Sequence, residues 1–303
     1  MHLRDIFKSH HSTFSFEFFP PKTAEGANDL FESIRELESL RPTFVSATYG
    51  AGGSTRDLTH NLVVRLKSDT SLDPVPHLTC VGHDEREVGA ILERYAAAGI
   101  SNILALRGDV PKSIEGSPWK SFHYASDLVR FIKKFADKGI HPDSRGFGIA
   151  VAGFPEGHPE TPNRLVEIDR LKAKVDEGAD AIITQLFFDN RDFYDFRARC
   201  EMAGIKVPIV AGIMPITSTA GMKRMAELAL GARYPASLLR ALNRAAGDED
   251  GVRRVGIHWA TEQSRDLLDH DVAGIHFYTL NRSTATREIY ATLGVKDSSG
   301  LRR

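Results

Sequence analysis

Two carboxylates, two histidines and one amide are the side chains best placed to do chemistry in this sequence. Glu17 lies in Phe14-Ser15-Phe16-Glu17-Phe18-Phe19-Pro20-Pro21, among four aromatic rings, at the end of an apolar run that two prolines terminate. A carboxylate in that setting is either paired with a cation or desolvated, and desolvation raises its pKa toward the range of a general acid. Ion-pair networks perturb carboxylates as well, so from these residues alone a structural Glu competes evenly with a catalytic one. Asp109 falls in Arg107-Gly108-Asp109, where Arg–Asp pairing would be explanation enough. His77 stands in an apolar run, the usual setting of a satisfied core histidine, whereas His158, between Gly157 and Pro159, reads as loop-borne and accessible. Gln185 interrupts an apolar stretch and needs partners for its amide if buried, which a polar ligand would supply. Gly50-Ala51-Gly52-Gly53-Ser54 is either a flexible loop or a set of N–H groups open to a phosphate; it has neither P-loop nor GxGxxG spacing. His77, His158, Glu17 and Asp109 lack any HxH or HExxH spacing, so no metal centre is expected.

These residues need a frame. Short β-branched or aromatic runs alternate with longer segments of helical period, the pattern of βα units around a parallel sheet. Eight strands are expected, at 14–19, 43–49, 75–81, 102–107, 147–153, 181–187, 208–214 and 272–279. Amphipathic segments lie at 28–40, 86–98, 125–138, 164–177, 192–203 and 219–230. Gly99, Gly139, Gly178 and Gly204 read as helix stops, because glycine tolerates the left-handed conformation that ends a helix. The stretch 235–270 is longer than one crossover needs and splits near residues 247–251, which predicts an extra helix before the last strand. With eight or nine helices and no low-complexity linker, residues 1–303 read as a single α/β domain, a (β/α)8 TIM barrel, with a frayed tail at 296–303. In such a barrel the active site is built at the C-terminal ends of the strands, where Glu17, His77, Arg107, Asp109, His158, Gln185 and Tyr278 all fall.

Composition removes other classes. The chain has 39 basic and 40 acidic residues and no long run of one sign, so neither nucleic acid nor an anionic membrane is an expected partner. Only Cys80 and Cys200 are present, without CxxC spacing, which fits a reducing compartment and argues against thiolate metal binding. The start, Met1-His2-Leu3-Arg4-Asp5, lacks the apolar segment of a signal peptide, and no run is long enough to span a bilayer. The expectation is a soluble cytoplasmic protein.

The ordered set Phe16-Glu17-Phe18-Phe19-Pro20-Pro21, Thr48-Tyr49-Gly50-Ala51-Gly52, Pro76-His77-Leu78-Thr79-Cys80, Leu106-Arg107-Gly108-Asp109, Thr184-Gln185 and His276-Phe277-Tyr278-Thr279-Leu280-Asn281-Arg282 closely resembles 5,10-methylenetetrahydrofolate reductase. The resemblance runs over about residues 14–294 and is to the short bacterial form, the catalytic barrel alone. It implies bound FAD, reduced by NADH or NADPH, which passes hydride to 5,10-methylenetetrahydrofolate in a ping-pong cycle that feeds methionine synthesis. It also implies a homo-oligomer. Carried over by position, Thr48, His77, Arg107, Gly108, Asp109, Tyr124, Ala125, Ala152, Phe154, His158 and Lys174 would contact FAD, and Glu17, Asp109, Gln185, Tyr278 and Arg282 would serve the folate.

The chemistry suits these types. The folate ring opens to a 5-iminium cation once its departing nitrogen is protonated, and Glu17, kept neutral by its aromatic neighbours, is the expected acid. Asp109 would stay ionised, stabilising the cation and tuning the flavin, while Arg107 and Lys174 would pair with the FAD diphosphate. Gln185 suits both the pterin edge and a nicotinamide carboxamide. Some positions depart from the family pattern. Ala173 stands where relatives often carry a second base, a role Arg170, one turn earlier, could take over. Phe154 replaces a frequent Tyr, and Leu239 and Leu242 lie where some relatives place an aromatic that packs on substrate. Two alternatives stay open at this point: direct hydride transfer from the nicotinamide without flavin, and a non-catalytic flavin- or folate-binding barrel.

Overall fold

A computed structural model describes residues 1–49, 56–110, 117–229 and 231–301. Eight parallel strands close into a barrel in sequence order: β1 (Thr13–Phe18), β2 (Phe44–Ala47), β3 (Pro74–Thr79), β4 (Asn102–Leu106), β5 (Gly148–Gly153), β6 (Ala181–Thr184), β7 (Ile209–Ile213) and β8 (Gly274–Tyr278). Every expected strand is present, though several stop early, β6 at Thr184 rather than at residue 187. The described helices are α1 (Leu3–Ser9), α2 (Ala24–Glu38), α3 (Arg56–Asp69), α4 (Glu85–Ala97), α5 (Ala125–Phe135), α6 (Arg164–Asp176), α7 (Asn190–Met202), α8 (Thr219–Leu228), α9 (Ala236–Arg244), α10 (Glu249–Asp269) and α11 (Thr284–Thr292). The chain between β7 and β8 thus carries α8, α9 and α10. The four glycines read as helix stops all have left-handed backbone, with φ from 64° at Gly139 to 109° at Gly178.

The eleven described helices exceed the eight or nine expected. Among those not anticipated, α1 has only seven residues, too few to show a helical period, and its stability comes from what it plugs. Leu3 and Ile6 pack into the barrel floor against Phe44, Val75, Leu104, Ala150, Ile183 and Val210. The Leu3 N–H donates to Asn102 Oδ1 at 2.7 Å, and Asn102 Nδ2 returns a bond to the Met1 carbonyl at 2.7 Å. This end of the barrel is closed. The expected frayed tail is corrected over its described part, residues 296–301, with 302–303 outside the described residues: Ser298 N–H donates to the Leu40 carbonyl at 2.9 Å, and its hydroxyl meets Tyr290, docking a 3₁₀ turn at Ser298–Leu301.

Strand pleat decides what faces the site. On β1, Phe14, Phe16 and Phe18 point outward into the main core, with Leu30 and Ile34 of α2 and Ile289 and Tyr290 of α11. Full burial stabilises each ring by roughly 2–3 kcal/mol. Their period-two partners, Ser15 and Glu17, therefore point into the barrel.

Asp180, at the start of β6, has a fully buried side chain that accepts from the Ile149 N–H at 2.8 Å and from Lys133 Nζ at 3.0 Å, with Arg4 as a further partner. Asp180→Ala strands that N–H and both cations, so a stability loss of about 3 kcal/mol is expected, read from the denaturation midpoint at unchanged m.

Candidate active site

The C-terminal mouth of the barrel gathers Glu17 from β1, His77 and Thr79 from β3, and Tyr278 from β8. Glu17 is buried, and its Oε2 lies 3.4 Å from His77 Nε2 and 3.9 Å from His276 Nε2. Its carbonyl accepts from Thr279 Oγ1 at 2.7 Å, fixing the strand from which it projects. The same seam is held from above, where Asn281 bonds both the N–H and the carbonyl of Phe19, at 2.7 and 3.0 Å. Asn281 and Leu280 reach this position through left-handed backbone, at φ 62° and 50°.

The electrostatics correct the expected state of Glu17. Burial pushes its pKa up, but His276 and His77 outweigh burial and bring it down to about 2. The aromatic rings cannot keep it neutral, because the pleat turns Phe16 and Phe18 to the other face of the sheet. In the ligand-free barrel Glu17 is a carboxylate between two imidazoles.

His276 is wholly buried inside the barrel, stacked on Phe44 at 6.0 Å, with Tyr278 edge-on at 5.3 Å. Ser15 Oγ lies 2.7 Å from its Nδ1 and Ser46 Oγ 3.2 Å from its Nε2. Tyr278 donates to the Thr184 carbonyl at 2.8 Å, and burial and the Glu17 charge hold its phenol well above its ordinary pKa. Gln185 is half-buried, and its Oε1 accepts from the Leu186 N–H at 2.9 Å, leaving the amide N–H groups to donate.

Cations collect beyond β4 and β5. The Arg107 guanidinium lies 4.1 Å over Trp119 and 5.8 Å from the Tyr124 ring, which Arg170 approaches to 5.5 Å from the other side of the loop. Arg107 also donates to the His123 carbonyl at 3.1 Å and pairs with Glu160 at 3.3 Å. The pairing considered for Arg107 and Asp109 is absent among the described residues, because Gly108, at φ 83°, turns the chain between them and leaves Asp109 exposed at the rim. A Cβ at Gly108 would come within 2.8 Å of Thr79, so this turn needs glycine. Lys174 Nζ donates to the Ala152 carbonyl at 2.6 Å, and burial lowers its pKa to about 8. His158 packs edge-on against Phe154 at 4.6 Å, and burial lowers its pKa, so it is a neutral ring that accepts from the Glu160 N–H at 3.1 Å.

Thr48 follows β2 and Ala125 opens α5, both half-buried at this end of the barrel; Ala173, by contrast, is exposed on α6, and Arg282 is exposed after β8. Leu239 and Leu242 line a cleft with Ile216, Thr219 and Met222, between α8, α9 and α10. The glycine-rich loop 50–54 lies outside the described residues. Thr79 Oγ1 is buried with no hydrogen-bond partner among the described residues, and His77 Nε2 has the Glu17 carboxylate at 3.4 Å, so the mouth holds unmet polar capacity at Thr79. Ser15, Ser46, His276 and Asn281 were not singled out from sequence, although Ser15 and Glu17, or His276 and Tyr278, at period two on one strand, carry the signal.

The family model described as Methylenetetrahydrofolate reductase matches residues 2–294. The chain belongs to the methylenetetrahydrofolate reductase family. It is 41% identical over 282 residues to the 5,10-methylenetetrahydrofolate reductase of Escherichia coli K12, covering 93% of this chain and 90% of that protein. It is 39% identical over 317 residues to Methylenetetrahydrofolate reductase (NADH) 1 of Arabidopsis thaliana, covering 99% of this chain but 51% of that one, so it spans about half the length of the plant member of the family. A solved structure of an uncharacterized Clostridium thermocellum protein, which binds two copies of 5-methyl-5,6,7,8-tetrahydrofolic acid, superposes with a TM-score of 0.65 at 14% identity and covers 99% of both chains, a likeness of fold. Among the described residues of this reductase family member, no helix is long and apolar enough to cross a membrane and no group of side chains could hold a metal ion.

Proposed function

We propose that this chain reduces 5,10-methylenetetrahydrofolate to 5-methyltetrahydrofolate, with FAD as bound cofactor and NADH or NADPH as reductant, the two substrates taking turns at one site. The observation that carries the reading is Glu17, a buried carboxylate at the barrel mouth within reach of two imidazoles. In this reading it supplies the proton that the departing nitrogen needs, in a chain that belongs to the methylenetetrahydrofolate reductase family.

The cation cluster fits FAD. Arg107 and Arg170, on the half-exposed Tyr124 ring, and Lys174, at the Ala152 carbonyl, offer positive groups for a diphosphate. Thr79 offers a buried hydroxyl with no hydrogen-bond partner among the described residues. When bound, FAD would supply the hydride. The protein does the rest. Glu17, ionised in the ligand-free barrel, takes up a proton as the folate binds and delivers it to open the folate ring, and Asp109, exposed at the rim, offers a negative charge to the resulting cation. Gln185 presents amide donors, and Tyr278, held protonated, orients the site through Thr184. Phe154 and His158 wall the cofactor side with neutral rings. In this reading the chain works in the cytoplasm as a homo-oligomer.

A visible spectrum and two anaerobic additions test this. The purified protein should be yellow, bleach with NADH or NADPH, and regain its colour with methylenetetrahydrofolate. A colourless protein that turns over without flavin would favour direct hydride transfer, and one with no turnover at all would sink the reductase reading.

A further inference from the structure

We infer that Arg233 is a positioning residue for the cofactor side of the site: its guanidinium clasps the loop between β5 and α6, which carries Phe154 and His158, to the first turn of α7 and to the chain between α8 and α9. The inference rests on the flavin reading for its ligand and on geometry for its residues. Residues 154–163 join β5 to α6 with no helix or strand of their own, so the rings of Phe154 and His158 stay only where that loop is held. Side chains from α7 and from the α8–α9 connection hold it. Arg199 of α7 donates to the Pro155 carbonyl at 3.2 Å. Arg233 donates to Glu156 Oε1 from its backbone N–H at 2.9 Å and from Nε at 3.0 Å, while its Nη2 donates to Asp192 Oδ1 at 2.6 Å. The Arg233 side chain is 62% exposed, but the Glu156 side chain it meets is only 4% exposed.

That asymmetry decides the size of the effect. An ion pair open to water contributes little, whereas a buried carboxylate left without its cation is strongly disfavoured. Glu156 pairs with no other cation among the described residues, and its Oε2 is buried with no hydrogen-bond partner there. Burial pushes the Glu156 pKa up, and the contact with Arg233 works against that push. The backbone adds to the clasp. Gly231 passes so near the loop that a Cβ there would lie 3.2 Å from the Gly157 carbonyl oxygen, and the Gly157 N–H closes a turn on the Phe154 carbonyl at 3.1 Å. Without Arg233, Glu156 gains by turning toward water, and the turn that sets Phe154 and His158 goes with it. Arg233 thus acts through Glu156 rather than on the cofactor side directly.

Two measurements decide the matter. In hydrogen exchange on the full chain freed of flavin, Arg233→Ala should speed exchange about tenfold in residues 154–163 and leave the barrel strands unchanged. An equal rise throughout the barrel, or no rise in the loop, would overturn the inference. This readout needs no flavin, so it stands or falls apart from the flavin reading. In the flavin-loaded protein the same variant should release FAD about tenfold faster, read from flavin fluorescence after dilution. Adding Glu156→Gln to Arg233→Ala should bring release back to within about 3-fold of the unaltered protein, because a neutral amide needs no cation. Unchanged release in the single variant, or no recovery in the double one, would count against the inference. If the unaltered protein binds no FAD, the flavin reading fails while hydrogen exchange still judges the clasp. If Arg233→Ala does not fold, Asp192→Asn opens one arm of the clasp, with release about 3-fold faster expected and an unchanged rate counting against the inference.

Discussion

Glu17→Gln is expected to lower the rate of folate reduction by about 10³-fold while nicotinamide-driven reduction of the cofactor stays within about 3-fold. Glutamine keeps the shape of the side chain and can still meet His77 and His276, so the loss isolates proton delivery from packing. A stopped-flow comparison of the two half-reactions reads it directly, and an equal fall in both would show that Glu17 serves cofactor binding instead. Stability should respond to pH as well. The Glu17 carboxyl is lowered from 4.5 to about 2 in the folded chain, so it adds stability above pH 4.5 that fades as the pH falls toward 2. The Gln variant should lack that contribution, and its urea midpoint should change less between pH 6 and pH 3 than that of the unaltered protein.

The second large effect lies outside the site. Gly256, in α10, brings the helix backbone against the chain that leaves β7, and a Cβ there would fall 1.7 Å from the Ile216 carbonyl oxygen. Neither partner is a flexible side-chain end, so the backbone itself must shift. Gly256→Ala should cost about 3 kcal/mol or more and lower the melting temperature by roughly 6–12 °C. The helix propensity gained from alanine, about 1 kcal/mol, does not offset this. Ile216 also lines the cleft with Leu239 and Leu242, so a displaced α10 should change the KM for folate in whatever fraction remains folded. A melting temperature equal to that of the unaltered protein would show that the helix can move aside at no cost.

The barrel was legible because its signals are periodic and repeated. Each strand is a short apolar run, and Gly99, Gly139, Gly178 and Gly204 mark where helices stop. The plug α1 was not, since Leu3 and Ile6 become a core face only when the barrel floor exists to receive them. The docked tail is similar, because Ser298 is held by Leu40 from far along the chain. At the site, residue types placed Glu17, His77, Gln185 and Tyr278 at one end of the barrel, and the family resemblance assigned their ligands. The charge state of Glu17 was not legible in the sequence, because its neighbours along the chain are not its neighbours in space. Phe16 and Phe18 adjoin Glu17 along the chain yet face the opposite side of the sheet, whereas His77 and His276 arrive from β3 and β8. The Arg107–Asp109 pairing failed similarly, since a left-handed Gly108 turns two sequence neighbours apart.

The seam between β1 and β8, stitched by Asn281 to Phe19 and by Thr279 to Glu17, bears on biosynthesis. Glu17 and His276 lie on the first and the last strand of the barrel, so Glu17 is synthesised well before His276. Until β8 emerges, the nascent chain holds an open sheet edge and Glu17 has His77 but not His276 beside it, so no shorter product has the completed site. Competence arrives in one event, when β8 pairs with β1 and the ring shuts beside Glu17.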